Sequence, residues 1–123
     1  TPSGRQFFWP NVKRTKGNRT TFYTQIVNYP VQSSAADLRI LSCVRALRKF
    51  RELNLSSKLI LTVHDSVVSD VYPGELEQVK EALTWAMVGV TEEAAERWDY
   101  TFALPLEIEI SGGKNWLEQN EYT

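Results

Sequence analysis

One cysteine, Cys43, and one histidine, His64, occur in 123 residues, so a single chain can build neither an internal disulfide nor a Cys/His zinc cage. Sparse cysteine fits a reducing compartment, and the cytoplasm is the expected location. No apolar run approaches the roughly 18 residues of a membrane span, and no basic-then-apolar leader opens the chain, so neither a membrane partner nor export is expected. Internal repeats and low-complexity tracts are absent. The chain opens at Thr1 without a methionine, from which we expect an excerpt or a processed piece of something longer.

What is present is ordinary in bulk and uneven in distribution. Hydrophobic residues make up 42% and charged residues 24%, near the average of packed soluble proteins, and the length suits one domain. The net charge of −1 conceals a division. Residues 1–58 carry eleven Lys or Arg against Asp37 and Glu52, a net +9, whereas residues 59–123 carry three against thirteen carboxylates, a net −10. A one-sided basic region is the footprint of a polyanion, because each neutralised phosphate releases counterions. Two halves that face and cancel each other explain the same numbers.

Residues 1–24 hold Pro2, Gly4, Pro10 and Gly17 and read as an extended, loop-rich lead-in, or a loose hairpin turning at Lys16-Gly17-Asn18. Phe7, Phe8 and Trp9 are assigned to the edge of the core rather than to base stacking. Pro30 forbids a helix through it, so the first helix is expected to start at Ser33-Ser34, with Ser34 and Asp37 forming a capping box. It buries Leu38, Leu41, Val44 and Leu47, with Ile40, Cys43 and Phe50 widening the stripe, and runs to about Glu52. Arg39, Arg45, Arg48, Lys49 and Arg51 fall on its solvated face. Leu59 to Tyr72 is too β-branched for a helix and reads as a hairpin turning near His64-Asp65-Ser66. Leu76, Val79, Leu83 and Val90 mark a second helix reaching about Trp98. Phe102, Leu104, Leu106, Ile108 and Ile110 alternate with polar residues as a strand ended by Gly112-Gly113. The expected fold class is α+β, a small antiparallel sheet of the hairpin plus a further strand with two helices packed on it.

The polar break in the apolar hairpin is where chemistry fits. A carboxylate fixed by rigid strands at a tight turn can hold a hard cation such as Mg²⁺ through one or two oxygens. Asp is also at home in a turn because its side chain bonds local backbone, and the residues alone favour that turn-forming reading over the metal ligand. His64, with no second His or Cys, cannot head a zinc site, and Ser66, His64 and Asp65 are too close in sequence to form a nucleophilic triad.

Three motifs carry a resemblance. Asn28-Tyr29-Pro30-Val31-Gln32-Ser33-Ser34-Ala35-Ala36-Asp37, then Val63-His64-Asp65, then Gly112-Gly113-Lys114-Asn115-Trp116, in this order and with Gly4-Arg5 near the start, resemble the C-terminal palm segment of family A DNA polymerases. The resemblance covers nearly the whole chain. It implies that Asp65 is a catalytic residue and a ligand of Mg²⁺ in a two-metal nucleotidyl transfer, in which the primer 3′-hydroxyl attacks the α-phosphate of a nucleotide. It further implies that His64 lies against the primer terminus, and that Asn28 and Gln32 approach the minor groove, where every Watson–Crick pair offers similarly placed acceptors.

The sequence departs from the family pattern at two places. Ser66 stands where many members carry a Glu after the aspartate, and Thr24 where many carry an Arg, so Arg19 becomes the candidate for the contact to DNA that such an Arg would make. The resemblance also places a second metal-binding aspartate and the nucleotide-holding Lys and Tyr before Thr1. The expectation is therefore one piece of a DNA-directed DNA polymerase, either a fragment or one chain of a split enzyme, inactive alone. Its partners are primer–template DNA, dNTP and the remaining fingers and thumb regions, with self-association of the fragment through surfaces it would otherwise bury. A viral source would make the compartment the host cytoplasm. The alternative is a non-catalytic nucleic-acid-binding module on the same scaffold, and the sequence immediately upstream distinguishes the two.

Overall fold

The computed structural model describes residues 1–122 except Lys16, Asn18 and Arg19. In chain order it contains α1 (Tyr23–Glu52), β1 (Lys58–Val63), β2 (Ser66–Asp70), α2 (Leu76–Val88), α3 (Val90–Trp98), β3 (Ile110–Gly113) and β4 (Gln119–Tyr122). The class is α+β. The sheet differs from the expected one: β1 and β2 form one antiparallel pair, β3 and β4 a separate one, and the helices pack chiefly on each other. No helix among the described residues is long and apolar enough to cross a membrane.

The first helix is the main correction. It starts ten residues before Ser33 and runs through Pro30. Pro30 has no N–H to give the Ile26 carbonyl, a loss that ordinarily costs about 3 kcal/mol. Tertiary contacts offset it: Trp9 stacks on Phe22 at 6.0 Å between ring centroids and tilts against Tyr29 at 5.3 Å, and Phe7 meets Tyr29 edge-on at 5.9 Å. These rings clasp the first two turns. Phe7 and Trp9 are thus half-buried as edge residues, while Phe8 is 88% exposed. Ser34 is no N-cap; its hydroxyl and that of Ser33 donate to the Pro30 carbonyl at 2.7 and 3.2 Å. Asp37, also mid-helix, instead pairs with Arg5 and accepts from the Ser3 hydroxyl, which ties the lead-in to α1. The turn expected at Lys16-Gly17-Asn18 lies largely outside the described residues, although Arg14 and Thr20 bridge antiparallel across it.

The buried face of α1 is rotated from the expected stripe. Leu38, Ser42, Arg45, Ala46 and Phe50 are buried, whereas Ile40, Val44 and Leu47 are 53%, 38% and 41% exposed. Leu38 joins Val90 and Ala94 in one core cluster, and Phe50 joins Val79 and Ala82 in another. Cys43 is half-buried, and burial pushes its thiol pKa up.

Arg45 was expected in solvent and is 7% exposed. Its Nε donates to the Ala86 carbonyl at 3.1 Å, Nη2 to the Trp85 carbonyl at 3.2 Å and Nη1 to Glu93 at 2.8 Å, with the guanidinium 4.1 Å from the Trp85 ring centroid. This contact accounts for a second correction: the single helix expected from Leu76 to Trp98 is two, divided at Gly89. A Cβ on Gly89 would stand 2.8 Å from Arg45 Nη2, so Gly lets the guanidinium reach the carbonyls that end α2.

The strand expected over 102–110 forms only at its end. Phe102 and Leu106 pack on the Leu38 cluster, so the alternation reports burial, but no described strand offers a ladder to 102–109 and regular pairing begins at Ile110. Gly112 and Gly113 are themselves paired in β3, which stops at Gly113.

Candidate active site at a hairpin tip

β-Branched residues, Ile60, Thr62 and Val63 in β1 and Val67 and Val68 in β2, favour the two strands, and their ladder ends on the Val63–Ser66 pair, leaving His64 and Asp65 as a two-residue connection. His64 adopts φ 51°, the left-handed conformation such short hairpin turns demand and which non-glycine residues adopt sparingly. Ser66 donates its hydroxyl to the Val63 carbonyl at 2.8 Å and closes the base of the turn. His64 and Asp65 are both exposed. At its other end the hairpin is anchored to α2. Glu75 accepts hydrogen bonds from the Ser57 hydroxyl and from the Ser56 and Ser57 amides, which hold its pKa below the usual carboxylate range.

The helix running back through Pro30 changes how Asn28 and Gln32 are placed. Rather than bracketing a helix start, they sit within α1 four residues apart, both exposed. At 3.6 residues per turn, Asn28, Gln32 and Arg39 project within about 40° of one another around the helix. Arg39 Nη1 donates to the His64 carbonyl at 2.5 Å, so the stripe that carries both amides is tied directly to the hairpin tip. The structure thus brings His64 and Asp65 together, places Asn28 and Gln32 on one stripe, and joins the two groups through Arg39, a residue that sequence reasoning left in solvent. Its position seven residues after Gln32 was the available signal. Arg19 lies outside the described residues.

A metal ion finds only a partial site. The Asp65 carboxylate is a hard oxygen donor of the type Mg²⁺ takes, but among the described residues no group of three His, Cys, Asp or Glu could hold a metal ion. A surface groove between Arg5, Asp37, Ile40, Val44 and Trp98 involves none of Asn28, Gln32, His64 or Asp65.

The fold and the tip define an α+β protein whose candidate site residues occupy one hairpin turn and one helix stripe. The profile of DNA polymerase family A matches residues 1–118, and the chain belongs to that family. It is 33% identical over 115 residues to DNA polymerase I of Caldicellulosiruptor bescii, covering 93% of this chain and 12% of that protein. It is 36% identical over 92 residues to DNA polymerase I of Lactococcus lactis, covering 75% and 10%. It is 31% identical over 119 residues to the thermostable DNA polymerase I of Thermus aquaticus, covering 96% and 13%. The chain therefore spans about an eighth of the length of these relatives. No solved structure gives a significant match.

Proposed function

We propose that the chain is the C-terminal palm piece of a DNA-directed DNA polymerase, residues 1–22, before α1, being its lead-in, and that it serves template-dependent nucleotidyl transfer as a fragment or one chain of a split enzyme. The observation that carries this reading is the exposed Asp65 carboxylate on a turn fastened to the helix stripe of Asn28 and Gln32. In a family A polymerase that arrangement meets the end of a primer. Asn28 and Gln32 offer amide donors four residues apart, a spacing of about 6 Å along the helix, to the minor-groove acceptors of terminal base pairs, which are similarly placed in every Watson–Crick pair. His64 stands beside the primer sugar. Asp65 supplies negative charge where the 3′-hydroxyl must lose its proton and attack the α-phosphate.

Mg²⁺, when bound, would neutralise the phosphates and acidify the hydroxyl. Asp65 fits one ligand position of such a site, and the others belong to a part of the polymerase outside these residues. For that reason the 123-residue chain is read as inactive alone. Asp65→Asn in the complete polymerase should lower extension by at least about 10³-fold, since an amide carries no charge to hold the ion, with primer–template affinity nearly unchanged. Turnover within a few-fold of the parent would remove Asp65 from this role and leave the reading of a DNA-binding module.

A further inference from the structure

The His64 carbonyl belongs to the peptide that leads into Asp65, and the hairpin ladder, which stops at Val63 and Ser66, gives it no strand partner. His64 itself sits at φ 51°, a conformation that persists in a non-glycine residue only where its surroundings hold it. Ser66 closes the base of the turn through Val63. The apex is held from outside, by Arg39 of α1 at 2.5 Å. A donor that carries full charge makes a stronger bond than a neutral one. Elsewhere on the guanidinium, Arg39 Nε is buried and finds no acceptor among the described residues, an arrangement that is unfavourable by itself and calls for a compensating contact.

We propose that Arg39 is a positioning residue for Asp65, its guanidinium clamping the His64 carbonyl to α1 and so fixing the direction in which the Asp65 carboxylate leaves the turn. The proposal rests on the role of Asp65 given above. It also assigns a purpose to the departure at Ser66: a turn with one carboxylate is set by two backbone-directed bonds, from Ser66 below and Arg39 above. A Lys in place of Arg39 keeps the charge but not the planar fork, and fixes the carbonyl less well.

The test uses the complete polymerase that contains this segment. Arg39→Met should lower the single-turnover extension rate by about 10- to 100-fold, the range expected when a reacting group is misplaced by about 1 Å, while primer–template Kd stays within about twofold of the parent. Arg39→Lys should recover part of the lost rate. Added to Asp65→Asn, Arg39→Met should cause no further loss, because a clamp that acts through the carboxylate has nothing left to position. Amide hydrogen exchange at residues 64–66 should rise in Arg39→Met while α1 and β1 stay protected. An inactive Asp65→Asn beside an Arg39→Met enzyme of parental rate would overturn the clamp alone, whereas an active Asp65→Asn would refute the role of Asp65 itself. A weakened Kd at unchanged rate would make Arg39 a phosphate contact, and exchange rising equally across the chain would make it merely structural; either result overturns the proposal.

Discussion

Replacing Arg45 by Met keeps the length of the side chain and removes its guanidinium from the junction of α1, α2 and α3. Three hydrogen bonds go with it, to the Ala86 and Trp85 carbonyls and to Glu93. Breaking a buried pair from one side ordinarily costs about 3–5 kcal/mol because the partner charge is stranded. Here Glu93 keeps Arg97 at 2.6 Å and Arg48 at 3.3 Å, and the Trp85 carbonyl keeps the Gly89 amide at 3.3 Å. The expected loss is therefore at the lower end, about 3 kcal/mol.

Gly89→Ala probes the same junction from the other side. The new Cβ would stand 2.8 Å from Arg45 Nη2 and 3.0 Å from the Trp85 carbonyl oxygen. Neither can retreat freely, the first because Nε and Nη1 are bonded elsewhere, the second because it belongs to α2. Overpacking of this kind costs about 1–3 kcal/mol, less about 0.4–1 kcal/mol from the reduced freedom of the unfolded chain. With Met at position 45 the guanidinium contact disappears, so the two substitutions should be less than additive by about 1 kcal/mol. Urea denaturation of the 123-residue chain, followed by tryptophan fluorescence at constant m, measures all three variants. An Arg45→Met loss below about 1 kcal/mol, or strict additivity with Gly89→Ala, would refute the argument that this contact divides the helix.

Asn28→Ala and Gln32→Ala in the complete polymerase should slow extension from matched primer ends more than from mismatched ones, because only a matched pair presents its acceptors in register; equal slowing in single-turnover assays would show the pair to be structural. Acid should destabilise the chain in a definite window. Asp37, through the Arg5 hydrogen bond, and Glu75, through Ser57 and Ser56, titrate below their ordinary values of 3.8 and 4.5; burial pushes Glu93 up, but Arg45 and Arg97 outweigh it and leave it below 4.5 as well. The unfolded chain thus takes up protons first, so the urea midpoint should hold above about pH 5 and fall as pH drops through the lowered values, and a midpoint that rises on acidification would contradict the pairing. Primer–template binding by the isolated chain should weaken with salt at a log–log slope no steeper than about −5, and the chain should extend nothing; a slope near −8 would mean that the paired arginines also contact phosphate.

What the sequence made legible is what neighbouring residues decide. The β1–β2 hairpin and its His64-Asp65 tip follow from a β-branched run broken by turn formers, and α1 ends at Glu52, where its apolar pattern also stops. The errors all lie where a distant residue overrules the local rule. Pro30 stops a helix unless something clasps the turns before it, and Trp9 and Phe7, about twenty residues away in sequence, do so. Gly89 is tolerable inside a helix until Arg45 arrives from α1. Phe102 to Ile110 alternates like a strand, yet a ladder needs a neighbour that these residues do not supply. At the candidate site, the motif singled out Asn28, Gln32, His64 and Asp65, and only the helix through Pro30 puts the two amides on the stripe that ends in Arg39.

The division of charge yields to the same reasoning. Arg5 answers Asp37, Arg45 and Arg48 answer Glu93, and Lys49 answers Glu52, while Arg39 is committed to the His64 carbonyl. Five of the eleven cations in residues 1–58 therefore have partners within the chain, two of them on a carboxylate of the acidic half. Facing halves therefore account for only part of the division, through Arg45 and Arg48 on Glu93. Lys13, Arg14, Arg51 and Lys58 are exposed and make no ion pair among the described residues; with Lys16 and Arg19 they bring the cations of residues 1–58 left over for phosphates to at most six. At about 0.9 counterions released per phosphate, six cations set the bound of −5, well short of what a net +9 suggests. The arginines that lie nearest the tip and the helix junction act on carbonyls and carboxylates, and through them the basic half of the sequence holds its own scaffold in place.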